Sequence, residues 1–222
     1  QFCAHAAEGY ARATGKVGVV IATSGPGATN LVTGLANAYM DSTPLVAITG
    51  NVPLELLGRD AFQEIDIYGV TMPITKHNFI VRSVDRLAET LRFAFQTAMS
   101  GRKGPVLVDI PKNVFEECAK YTPAKPAVSS IPLPAVSSLG EAAELINASS
   151  KPVLCLGGGV IASNAAEAAY AFAKRLGAPV MTTAMGIGGF PQDDDQYLGL
   201  AGLQPNPSVL AALRDCDLFI GA

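Results

Sequence analysis

Six short runs in this chain are apolar throughout: Val17–Ala22, Pro44–Thr49, Val106–Ile110, Val153–Leu156, Pro179–Thr182 and Leu218–Ile220. A one-sided sheet would alternate apolar with polar residues, so these runs point to parallel strands covered on both faces. Helical patterns lie between them. An Ala-rich helix stops at Gly15, and a second helix opens near Asn30. The spacing predicts a helix from Ser83 to Gly101, with Leu87, Leu91, Phe95 and Ala98 on one stripe and Ser83 as N-cap. A further helix is predicted from Asn164 to Gly177, with Asn164 and Glu167 set as a capping box. Strands alternating with helices in this way build α/β layers.

Composition removes several function classes. Hydrophobic residues make up 49% of the 222 and charged residues 16%, with a net charge of −3. That balance suits a well-buried α/β protein and gives phosphate-backbone binding no basic stripe to use. No run reaches the roughly 18 apolar residues that a bilayer span needs. The four cysteines (Cys3, Cys118, Cys155 and Cys216) form no CxxC pair, which reads as free thiols in a reducing, cytoplasmic setting. With only His5 and His77, a histidine-rich metal site is excluded. Between Glu116 and Ser138 the pattern breaks at Pro123, Pro126, Pro132 and Pro134, with Ser129-Ser130 and Ser137-Ser138 between them. Such a stretch reads as an extended linker. The expected organisation is therefore a first domain over 1–115, a linker over 116–138, and a second, shortened domain over 139–222.

Ser24-Gly25-Pro26-Gly27 follows the first apolar run and precedes a helix. A turn with so few side chains lets a flat ring lie against backbone, although Gly and Pro also punctuate ordinary turns. No Walker lysine follows, and the spacing is not GxGxxG. Gly157-Gly158-Gly159 likewise follows a buried run and precedes a helix expected to start near Ala162–Asn164. On spacing alone it is either a diphosphate cradle or a structural turn. The acid that a dinucleotide's ribose would need about 20 residues on is missing between Gly177 and Gly189.

Residues 1–30 and TSGPGATNLVTGLANA resemble the pyrimidine-binding domain of thiamine-diphosphate (ThDP) enzymes, in particular the acetolactate synthase family. DAFQE at 60–64, ITKHN at 74–78 and GPVLVDIPK at 104–112 are similar to the same family. The resemblance implies an α/β fold: a three-layer parallel-sheet pyrimidine-binding domain, then part of a Rossmann-type domain of the DHS-like NAD/FAD-binding kind. It also implies that Pro26, Asn30 and Gln63 approach ThDP, and that Phe62 and Lys112 border the substrate. Arg102, Gly157, Gly158, Gly159, Thr183 and Ala184 are implied to lie near FAD, with Gln204 standing where the family has a histidine.

The family's catalytic glutamate would lie just before Gln1, and its Mg2+ and diphosphate would be held by a further C-terminal domain. The implied reaction is decarboxylative condensation of pyruvate with a second 2-oxo acid, carried out by a homodimer or larger assembly, with room for a small regulatory subunit. Residues 1–222 alone are expected to be inactive. Glyoxylate carboligase, sulfoacetaldehyde acetyltransferase and a non-catalytic module of the same fold remain alternatives. Glu8 and the run Asp193-Asp194-Asp195 are read as structural.

Overall fold

The computed structural model describes residues 1–123 and 135–222. The chain divides into two units, Gln1–Ile131 and Pro132–Ala222.

In the first unit, α1 (Phe2–Thr14) ends on Gly15, whose φ of 70° makes the left-handed stop that glycine adopts without steric cost. Then follow β1 (Gly18–Ala22), α2 (Pro26–Thr29), α3 (Val32–Met40), β2 (Leu45–Asn51), α4 (Ile67–Thr71), β3 (His77–Ile80), α5 (Val84–Met99), β4 (Pro105–Pro111) and α6 (Lys112–Glu116). The four strands are parallel, in the order β1-β2-β4-β3. Successive side chains point to opposite faces, and both faces are covered except at the edge strand β1, where Val19 and Ile21 are exposed, contrary to the expectation for that run. Val20, Leu45, Ala47 and Leu107 pack with Ala4, Ala7, Leu35 and Ala38 of α1 and α3. Val46, Val106, Val108 and Ile110 pack with Ala94 and Ala98 of α5. This is the three-layer arrangement that the uniformly apolar runs require.

Two local expectations change. The buried stripe of α5 is Leu87, Leu91, Ala94 and Ala98, while Phe95 is exposed. At about 100° per residue, position 95 falls roughly 80° from the reference position 87, whereas 94 falls within about 20° of it. Strand β3 was hidden because His77 and Asn78 interrupt its apolar character. Ser83 does cap α5, its Oγ accepting from Asp85 N at 3.3 Å.

The second unit contains α7 (Val136–Ala148), β5 (Pro152–Leu156), α8 (Gly158–Ala162), α9 (Ala166–Leu176), β6 (Val180–Thr182), β7 (Tyr197–Leu200), α10 (Pro207–Asp215) and β8 (Leu218–Gly221). Its strands are also parallel, ordered β7-β6-β5-β8. Leu154, Leu156 and Val180 pack towards Ala173 of α9 on one face. Val153, Cys155 and Met181 pack towards Val209 of α10 on the other. The chain steps outward from β5 to β6 to β7 and returns to the far side of β5 as β8. The order therefore reverses between β5 and β8, a place where open α/β sheets bind ligands.

Here too some expectations are corrected. Ser137-Ser138, read as linker, lie within α7; Pro126, Pro132, Pro134 and Ser129-Ser130 lie outside the described residues. The capping box at Asn164 does not form. Asn164 turns the chain between α8 and α9 with φ 53°, and α9 starts at Ala166 with no side-chain cap. Asn is one of the few non-glycine residues that adopts this conformation routinely. All four cysteines are free thiols. Among the described residues no helix is long and apolar enough to cross a membrane.

Candidate functional site

The Ser24–Gly27 corner lies at the carboxyl end of β1, and Pro26 opens α2. Gly25 has φ 60° and ψ −120°, a conformation that a side chain resists. A Cβ on Gly25 would sit 2.8 Å from the carbonyl oxygen of Gln63 and 3.0 Å from its Cα. A Cβ on Gly27 would meet Thr23 Cγ2 at 2.6 Å. These glycines thus admit neighbouring protein rather than leaving a bare shelf for a ring. The corner is met from the other side by Gly50, where a Cβ would lie 3.6 Å from Ser24 N.

Residues 38 positions apart, Gly25 and Gln63, are in this way locked backbone to backbone. Gln63 itself has φ 60°. Pro26, Asn30, Phe62 and Gln63 are all exposed, Phe62 to 89%. Asn30 Nδ2 donates to Pro26 O at 2.7 Å, which holds the amide against the turn. The result is an open surface with an apolar ring and a proline beside two amides. Those residues fit a flat, hydrogen-bonding heteroaromatic such as an aminopyrimidine.

Two carboxylates support the corner, and neither was singled out from sequence. Glu64 accepts from the backbone N–H groups of Gly58 and Ala61, the latter at 2.9 Å. Those donors, led by Gly58, hold its carboxyl below the usual range. Asp109, in β4, is buried and accepts from Thr49 Oγ1 at 2.7 Å and from Asn51 Nδ2. Burial pushes its carboxyl up. Thr49 and Asn51 flank Gly50, so Asp109 fixes the end of β2 against the corner. A charged residue inside the apolar run PVLVDIP was the available signal. Glu64 was visible only as the last letter of a loop.

Other expected residues lie elsewhere in their units. Lys112 is exposed and pairs with Glu116 at 3.7 Å. Arg102 Nε donates to Ser42 Oγ at 2.7 Å, and its Nη2 reaches the carbonyls of Tyr39 and Met40, so it closes the end of α3. Lys76 Nζ donates to Thr97 O and Ser100 O at the end of α5, and burial pushes its amine down. Glu8 accepts from Arg12 and from Asn37 Nδ2 at 2.7 and 2.8 Å, tying α1 to α3. Asp194 accepts from Lys174 Nζ at 2.7 Å and from Gln196 N at 3.0 Å.

In the second unit Gly157 lies at the order reversal, its N–H donating to Ala222 O at 2.6 Å. The helix after it begins at Gly158, earlier than expected. A Cβ on Gly158 would meet Met185 Cβ at 3.0 Å, whereas one on Gly159 would meet nothing within 4 Å. Thr183 Oγ1 lies 3.9 Å from where a Gly157 Cβ would be, and accepts from Gly186 N at 3.2 Å. The structure therefore brings Gly157 and Thr183 together, with open space only at Gly159. For a flavin diphosphate this is a partial fit: Gly159 offers room, but the N–H of Gly157 is already used.

Comparison with known proteins accounts for both units. Residues 1–70 match the thiamine pyrophosphate enzyme N-terminal TPP binding domain, and residues 139–222 match the central domain of the same enzymes. The chain belongs to the thiamine pyrophosphate enzyme family. It is 52% identical, over 99% of its length, to an acetolactate synthase of Mycobacterium bovis. It is 49% identical, again over 99% of its length, to the acetolactate synthase large subunit of Corynebacterium glutamicum. In each case it spans 36% of the relative. An X-ray structure of a Mycobacterium smegmatis protein assigned as a thiamin diphosphate-dependent enzyme superposes with a TM-score of 0.87 at 29% identity, covering 100% of this chain and 43% of that one. Family membership explains why the corner at Gly25 and the turn at Gly157 occur in one chain.

Proposed function

We propose that a protein carrying this chain is a thiamine-diphosphate-dependent acetolactate synthase, joining pyruvate to a second 2-oxo acid with loss of CO2. The observation that carries the reading is the corner in which Gly25 receives Gln63 beside exposed Pro26, Asn30 and Phe62, in a chain about half identical to acetolactate synthases. When bound, ThDP supplies a nucleophilic carbon that adds to the 2-oxo acid and stabilises the charge left by decarboxylation. The chain's own part is to orient. Pro26 and Asn30 seat the aminopyrimidine, Gln63 approaches it, Phe62 lines the substrate pocket, and Lys112 borders the substrate's path.

In this reading 1–115 is the pyrimidine domain, 116–138 the linker and 139–222 the central domain. The catalytic carboxylate, the diphosphate and Mg2+ are assigned to protein outside residues 1–222. FAD is assigned to Gly157–Gly159, Thr183 and Ala184, with Arg102 near its flavin. The assembly is a cytoplasmic homodimer or larger, with sites shared between subunits and a small regulatory subunit as a further partner. The test is to assay the intact protein with pyruvate, ThDP and Mg2+, alongside glyoxylate and sulfoacetaldehyde as competing substrates. Acetolactate should form, and residues 1–222 alone should form none. Turnover of glyoxylate or sulfoacetaldehyde in its place would overturn the reading. Flavin absorbance in the purified protein tests the FAD assignment separately.

A further inference from the structure

We propose that Glu64 is a positioning residue that holds Phe62 and Gln63 in the orientation the reaction uses; this rests on the reading of that pair as part of the cofactor and substrate pocket. Residues 57–66 have no regular secondary structure. Within them Gly58, Asp60 and Gln63 all take positive φ, at 77°, 55° and 60°. Two of those are side-chain-bearing residues in a conformation that costs free energy, so some interaction has to favour the closed loop over its alternatives. Phe62 supplies none, because its ring faces solvent.

Glu64 supplies it. One carboxylate oxygen accepts from Gly58 N and the other from Ala61 N at 2.9 Å, while Glu64 N donates to Ala61 O at 2.9 Å. A single side chain therefore gathers both ends of the segment that presents Phe62 and Gln63. Hydrogen bonds to a carboxylate are stronger than neutral ones and depend on both oxygens being acceptors. A glutamine keeps the length but offers one acceptor. An aspartate keeps both acceptors but is one methylene too short to span the two N–H groups.

The experiment uses the intact protein and three variants, Glu64→Gln, Glu64→Asp and Phe62→Ala, measuring KM for pyruvate, kcat, the ThDP concentration for half activity, and melting temperature. Glu64→Gln is expected to raise KM for pyruvate or the ThDP requirement roughly tenfold, the scale of a lost charged hydrogen bond, with a smaller change in kcat and an unmoved melting temperature. Glu64→Asp should fall between Glu64→Gln and the parent. If Phe62→Ala alters the kinetics and Glu64→Gln does not, the positioning role is wrong while the pocket reading stands. If neither variant alters them, the pocket reading itself fails. A melting temperature that falls in step with activity in Glu64→Gln would make the carboxylate a general stabiliser and overturn the proposal.

Discussion

Replacing Gly25 with alanine places one methyl group at the tightest point of the corner, and its cost can be worked from the geometry. The new Cβ would lie 2.8, 2.9 and 3.0 Å from the carbonyl oxygen, Cβ and Cα of Gln63. Two of those atoms are backbone, so no flexible side chain can swing aside. Crowding of this kind costs about 1–3 kcal/mol. The backbone at φ 60°, ψ −120° adds about 1–3 kcal/mol for any residue with a Cβ. Gly25→Ala should therefore destabilise the first unit by about 2–6 kcal/mol, or relieve part of that by pushing Gln63 away. Either response should raise the ThDP concentration needed for half activity, since a displacement on the order of 1 Å at a reacting site costs about a hundredfold.

Urea unfolding and a ThDP titration of the intact protein measure both responses. Gly9→Ala is the control: Gly9 lies inside α1, and a Cβ there meets nothing within 4 Å. It should stabilise by about 0.5–1 kcal/mol. If Gly25→Ala matches the parent in both stability and ThDP dependence, the backbone lock between Gly25 and Gln63 does not exist.

Two further outcomes follow from the buried carboxylates. Glu8→Ala removes the acceptor shared by Arg12 and Asn37 and should cost about 1–3 kcal/mol in urea unfolding; an unmoved midpoint would mean that α1 and α3 are held by packing alone. Asp109 carries the pH prediction. Because burial raises its folded pKa, folding favours the protonated form. Its contribution is fully present below the unfolded carboxylate range near about 3.9 and is lost as pH climbs through the raised folded value. Asp109→Asn should flatten the dependence of melting temperature on pH between those values, and an unchanged slope would refute the assignment.

The parallel sheets were legible because an evenly apolar run has few other uses: residues 106–110 and 153–156 became central strands whose side chains are buried on both faces. Helix stops were legible where one residue decides them, as at Gly15 and Gly177, both left-handed. What sequence hid was set by tertiary geometry. Nothing in Asn164 and Glu167 announces that a second turn of helix directly upstream needs Asn164 as its hinge. Nothing in GPG reveals that Gln63 occupies the space a Gly25 side chain would fill. Local pattern left Gly157 open between a diphosphate cradle and a structural turn, and only the fold shows the carbonyl of Ala222 as its nearest neighbour. The pair Phe62 and Gln63 could be named from resemblance, but the carboxylate that organises them becomes evident only once the loop is closed.

The reversal of strand order at β5 has a consequence for how the second unit is made. Asp217, just before β8, accepts from Ser150 N at 2.8 Å and from Lys151 N at 2.9 Å at the start of β5, a separation of 67 and 66 residues along the chain. A ribosome delivers β5, β6 and β7 before β8, so one flank of β5 waits, unpaired, until β8 emerges. Until β8 arrives, β5 presents an open hydrogen-bonding edge to any other extended chain nearby. Slowed synthesis between β5 and β8 should therefore lengthen the time for which that flank is open to mispairing.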